Sequence, residues 1–155
     1  KKNDPQYQQR TGSRENTTII VMICADDTST PPAVIFKGNV YQVKWKQDNP
    51  ANASIGYSKK GWMDGEIGIE WIKRFDKNTK DKADGQDQLL LVDGHNSHYT
   101  RGFLQYAHTH QIHILCYPTH GTHVYQGLDV MVFAVLKHCW SEERVKWERE
   151  HGEGI

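Results

Sequence analysis

Apolar residues in this chain come in two rhythms. Four short runs are nearly continuous and rich in β-branched side chains: "TTIIVMICA" (17–25), "AVIFKG" (33–38), "LLLV" (89–92) and "IHILCY" (112–117). Such runs predict strands. The unbroken "LLLV" predicts a strand buried on both faces, as in a parallel sheet. Three other stretches repeat their apolar residues every three or four positions and predict helices. "DGEIGIEWIKRFDKNT" (64–79) carries Ile67, Ile69, Trp71, Ile72 and Phe75, with Asp64 as N-cap. "TRGFLQYAHTH" (100–110) is a short helix. "DVMVFAVLKHCWSEERVKWERE" (129–150) is a long one, with an expected stripe of Val130, Phe133, Ala134, the Lys137 stem and Trp140, and Trp147 seven residues on.

The segments between are turns and loops. "DDTSTPP" (26–32) turns the first two runs into an antiparallel hairpin. Residues 39–61 read as loop with one short strand around "VYQVKW", and 79–88 and 119–127 as loops. The order is hairpin, helix, strand, helix, strand, long helix. Strands alternating with helices after a hairpin predict an α/β sheet of mixed direction.

The chain has 155 residues, enough for one domain with a real core. Mean hydropathy is negative and no apolar run approaches a membrane span, so a soluble protein is expected. The polar start "KKNDPQYQQR" is no signal peptide. Nineteen basic and nineteen acidic residues cancel, so strong DNA binding requires a local basic patch or a further segment. Cys24, Cys116 and Cys139 are odd in number and far apart, which predicts buried free thiols in a reducing compartment. His108, His110, His113, His120 and His123 crowd one region. A zinc site is the sharp interpretation, but "HTHQIH" has no cysteine partners and no established ligand spacing, which disfavours it.

Two acids carry more weight. Asp93 follows "LLLV" directly, at the strand end where α/β sheets bind ligands. Asp129 opens the long helix. If that helix packs on the sheet, the two carboxylates share a small volume and repel. A divalent cation removes the conflict, and hard oxygen ligands favour magnesium or manganese. Each residue also has an ordinary explanation, since "DG" is a turn signal and Asp a common cap.

The words around these acids decide between the two. "LLLVDGHNSH", "YPTHGTHVYQGLDVMVFAVLK" and "SKKGWMDGEIGIEWIKRF", with "RENTTIIVMICADDTSTPPAVIFKG" before them, resemble the DDE superfamily of transposases and endonucleases, pogo branch, related to jerky and centromere protein B. The likeness covers about residues 10–147, with the motifs in order. The family's loop before its last acid runs His-Thr/Ser-Ser/Thr-His, then Leu-Gln-Pro-Leu-Asp. Here His120, Gly121, Thr122 and His123 precede "VYQGLD", so Gly127 replaces the proline and Val124, followed by Tyr125, the first leucine.

The resemblance implies an α/β fold of RNase H-like type, a mixed sheet with flanking helices. It implies that Asp93 and Asp129 are the second and third acids of a catalytic triad. That triad holds two Mg2+ (or Mn2+) ions, cuts DNA and joins the freed end to a target. It makes His95, His98 and His123 groups that shape the site rather than ligands. It implies DNA (transposon ends and target) as partner, room for a homo-oligomer, no membrane, and a nuclear location for a transposable-element product.

The triad's first acid belongs on a central strand just before the hairpin. Residues 1–16 offer only Asp4, before Pro5 and without an apolar run, so it cannot lie on such a strand. Asp26 and Asp27 fall in the turn, and Asp64 caps a helix. The expectation is a polar segment 1–16, a partial catalytic domain 17–150 lacking its first, central strand, and a tail 151–155. A non-catalytic, decayed or domesticated relative that binds DNA or protein is the alternative.

Overall fold

The computed structural model describes residues 16–93, 100–117 and 127–151; of Asp129 and Val130 it describes the backbone alone. Five strands and three α-helices follow one another as β1 (Thr18–Ile20), β2 (Ala33–Lys37), β3 (Ser54–Ser58), α1 (Gly65–Ala83), β4 (Gln88–Val92), α2 (Arg101–Thr109), β5 (Ile112–Cys116) and α3 (Phe133–His151). The chain is α/β, as the alternation predicts, but its strands form two small sheets. β1 pairs antiparallel with β2, and β2 pairs parallel with β3. β4 and β5 form a separate parallel pair.

The hairpin is as expected, though its first strand is short. Only Thr18–Ile20 is regular ladder, and the extended chain beyond it closes through an Ile23–Ser29 bridge. Residues 39–61 differ from expectation. "VYQVKW" supplies no strand; Val43–Lys46 is a 3-10 turn. The strand is "SIGYS", which Ser and Gly kept from view because strands are normally read from β-branched and aromatic residues. Asp64 caps α1, accepting hydrogen bonds from the backbone N–H of Glu66 (3.1 Å) and Ile67 (2.9 Å). The helix then runs a turn past Thr79, because Lys80, Lys82 and Ala83 are good helix formers. Asp84, in the left-handed region at φ 48°, ends it.

The core lies between α1, α2 and one face of the β4–β5 pair. Ile72 and Phe75 meet Leu90, Val92, Phe103, Ala107 and Ile112 there. Buried positions on α1 fall at Gly68, Ile72, Phe75, Asp76 and Thr79, a single helical face. Each large side chain buried in this way contributes roughly 1.5–3 kcal/mol. The "LLLV" strand is covered on one face only: Leu90 and Val92 are buried, whereas Leu89 is 64% and Leu91 47% exposed. Nothing among the described residues packs over that second face. The long helix also departs from its expected stripe, since α3 has no buried residue and Trp140 is 69% exposed. Its entry is a π-helical turn, Leu128–Val132, in which the Phe133 N–H donates to the Leu128 carbonyl. The three cysteines are free, but Cys24 and Cys116 are half-buried and Cys139 is exposed, on a helix with no buried residue.

Candidate functional site

Several chain ends gather along one rim of the fold. The hydroxyl of Thr18, at the start of β1, donates to the carbonyl of Gly61 (2.7 Å) in the turn after β3. Gly61 takes φ +70°, and a side chain there would run into the backbone of Asn16, so the junction needs glycine. Antiparallel pairing brings the end of β2 beside the start of β1. Gly65, opening α1, lies against Thr100, the N-cap of α2, so both helices begin where β4 ends. β5 ends at the same level, and the N–H of Tyr117 donates to the Val92 carbonyl (3.0 Å). Asp93 therefore sits where the C-terminal ends of two parallel strands meet two helix starts, the place where α/β sheets bind ligands.

Asp93 also borders a cleft of about 750 Å³. One wall is the extended chain Thr18–Asp26, the other is Asp87–Asp93, and Trp71, Phe75 and Thr79 of α1 form the floor. The lining is completed by Trp62, Tyr117, Gly127, Leu128 and Phe133. Asp129 thus belongs to a turn whose neighbours line the same cleft as Asp93. Its side chain lies outside the described residues, as do His95, His98, His120 and His123. Asp4 and the rest of 1–15 do so too. Trp62 and Tyr117 are the lining residues that periodicity missed. The signal for Tyr117 was its place, one step past Cys116 just as Asp93 is one step past Val92.

The opposite end of the cleft is a structural clamp. Asp26 Oδ1 accepts from the Thr28 hydroxyl (2.6 Å) and N–H (3.2 Å), and Lys82 Nζ donates to Asp26 Oδ2 (3.1 Å) and to the Thr28 hydroxyl. The Thr28 hydroxyl above all, then Lys82, holds the Asp26 carboxyl down at about 2. Its lone pairs are committed to this turn, so Asp26 is no third acid for the distant Asp93 end. Lys82 lies near the end of α1, just before β4, so the clamp fixes β1 and β4 in opposite directions across the cleft.

His110 and His113 have local partners. His113 Nε2 meets Asp87 Oδ2 at 2.8 Å. The His110 ring stacks on Tyr106 at 3.8 Å, and its Nδ1 meets the Tyr106 carbonyl. The Tyr106 hydroxyl donates to the buried Asp76 carboxyl (3.0 Å). Desolvation, then this carboxyl, pushes the Tyr106 phenol up. Among the described residues, no three His, Cys, Asp or Glu side chains converge on a metal position.

Comparison with known proteins completes this description. Residues 14–155 match the model of the DDE superfamily endonuclease family. A protein of Cochliobolus lunatus named "MFS-type transporter clz9" is 36% identical over 132 residues, which is 84% of this chain and 14% of that protein. The chain therefore spans about one seventh of that relative's length. Among the described residues no helix is long and apolar enough to cross a membrane. No solved structure matches. With nearly its whole length matched, the chain belongs to the DDE superfamily endonuclease family.

Proposed function

We propose that this chain is the catalytic module of a DDE-type transposase, pogo branch, with an RNase H-like sheet, cutting and transferring DNA strands in the nucleus. The observation that carries this reading is that Asp93, at the carboxyl ends of parallel strands, and the turn bearing Asp129 border one cleft. Asp93 is held from below: Leu90 and Val92 anchor its strand in the core. Asp129 is held by a π-helical turn, a distortion that recurs at functional sites. Together they would hold magnesium, which when bound activates an attacking oxygen and stabilises a leaving one at phosphorus. The two residues set where a scissile phosphate is placed, and the core behind Asp93 fixes that position.

The cleft itself supports the sheet assignment. Among the described residues β1 and β4 each have one unpaired edge, and residues of both strands line the cleft. All five residues of β4 line the cleft, so its length is that of a strand like β2, β3, β4 or β5. One strand from outside the described residues, antiparallel to β1 and parallel to β4, fills it and satisfies both edges. Its carboxyl end then reaches the Asp93 end of the cleft, where the triad's first acid belongs. The catalytic unit on this reading is 17–150 plus that strand.

The test is nicking of supercoiled plasmid by the chain alone and by the chain extended with a central strand ending in Asp. The extended chain should nick with magnesium and not with EDTA, and Asp93→Asn or Asp129→Asn should each lower the rate on the order of 10²-fold or more. The chain alone should be inactive. Nicking indifferent to both substitutions overturns the assignment. A folded extended chain that binds DNA without nicking supports the non-catalytic, domesticated reading.

A further inference from the structure

The net charge of zero hides a segregation. Residues 37–60 hold five lysines, Lys37, Lys44, Lys46, Lys59 and Lys60, against one acid, Asp48. All five lysines are exposed, and none pairs with a carboxylate among the described residues. The same segment carries an aromatic platform. Trp45 stacks on Phe36 at 4.8 Å and packs its ring edge onto Gly38. Tyr41 meets Trp45 edge-on at 5.9 Å and Tyr57 at 6.5 Å. Phe36 and Tyr57 are register partners and so share one sheet face. Tyr41 and Tyr57 remain 42% and 40% exposed. Four of the lysines interleave with these rings, since Lys44 and Lys46 flank Trp45 and Lys59 and Lys60 follow Tyr57 by two and three residues; Lys37, next to Phe36 on β2, falls on the other sheet face.

A solvated loop has no need to keep tyrosines open around a packed tryptophan and surround them with unpaired cations. We infer that this face binds a single-stranded nucleic-acid segment, with unpaired bases stacking on Tyr41 and Tyr57 and phosphates meeting Lys44, Lys46, Lys59 and Lys60. Stacking platforms edged by cations are how proteins hold single strands without sequence readout. The position gives the surface a purpose. β2 and β3 end on the rim where Asp93 lies, and exposed Trp62 lines the cleft between the two places. A strand lying over Tyr57 and Lys59 continues past Trp62 toward Asp93. That continuation rests on the proposed function; the binding itself does not.

Binding is therefore measured without cleavage, by fluorescence anisotropy of the unmodified chain with a labelled mixed-sequence 20-nucleotide single strand in EDTA. Four phosphate contacts give a slope of log K against log salt of about −2.8, and Lys44→Gln with Lys46→Gln reduces its magnitude by about 1.4. Tyr57→Ala weakens binding roughly tenfold or more. Lys77→Gln with Lys80→Gln, on exposed positions of α1, leaves both readouts unchanged. Far-ultraviolet circular dichroism checks that each variant is folded. Asp93→Asn binds like the parent, so a failed cleavage assay and a failed binding assay are separate results. Parent-like affinity and slope in the Lys44/Lys46 variant overturn the proposal. So does tight binding that a polyglutamate peptide displaces as well as the oligonucleotide does and that ignores Tyr57→Ala, which would mark an acidic-protein surface.

Discussion

Replacing Phe103 with alanine asks whether the small core behind β4 sets the position of Asp93. Phe103 is fully buried, with its ring parallel to that of Trp71 at 6.4 Å, among Ile72, Leu90, Val92 and Ala107. The substitution removes roughly 120 Å² of buried apolar surface, about 3 kcal/mol at ~25 cal/mol/Å². Loss of the aromatic pair adds about 0.5–1.5 kcal/mol. The sum, about 4 kcal/mol, falls in the usual range for Phe→Ala in a core. It is a large share of the ~5–15 kcal/mol that holds a domain together. In urea, with a slope of about 2 kcal/mol/M, the midpoint should fall by about 2 M, followed by fluorescence of the neighbouring Trp71. Phe103→Leu keeps most of the volume and should cost about 1–1.5 kcal/mol, so it remains measurable if the alanine variant does not fold. A loss under about 1 kcal/mol for the alanine variant would refute the reasoning, because Phe103 would then not be packed against β4.

Two further outcomes follow from the polar groups. The Asp26 carboxyl should titrate by NMR at about 2 rather than 3.8; because its folded value is depressed, its contribution to stability is present above about pH 4 and disappears as the pH falls through 2, and a midpoint near 3.8 would dissolve the Thr28–Lys82 clamp. Tyr106→Phe removes the hydroxyl that donates to buried Asp76 and should lower unfolding free energy by about 1–3 kcal/mol; an unchanged urea midpoint would show that the carboxyl finds another donor.

Much of the architecture could be read from residues, because local chemistry dictates it. Asp64 starts α1 as a cap set by its near neighbours, whereas the end at Asp84, a turn beyond the expected one, was not read. "LLLV" and "IHILCY" are strands in any surroundings rich enough in apolar partners. What escaped depends on distant partners. Leu89 and Leu91 look as buried as Leu90 in sequence, yet burial is decided by what lies across from them. The parallel pairing of "SIGYS" with β2 is a tertiary contact between segments whose composition argues for a loop. Asp93 could be singled out because a strand end is a local feature. The charge segregation of residues 37–60 was present in the letters too, but its aromatic partners became a surface only once β2, β3 and the turn between them were folded together.

The π-helical turn at Leu128–Val132 acts as a phase shifter. An α-helix advances about 100° per residue, so the extra residue held in that one turn rotates everything after it by about that amount relative to everything before. A stripe drawn at constant pitch from Val130 through Phe133 to Trp140 assumes an unbroken helix and slips by one position on crossing the turn. Asp129 and the tryptophans of α3 are therefore angularly uncoupled. Deleting one residue between Asp129 and Val132 would restore the pitch and swing Trp140 and Trp147 through about 100° about the axis. The direction in which the last helix offers its tryptophans is thus written in a single surplus residue beside the acid.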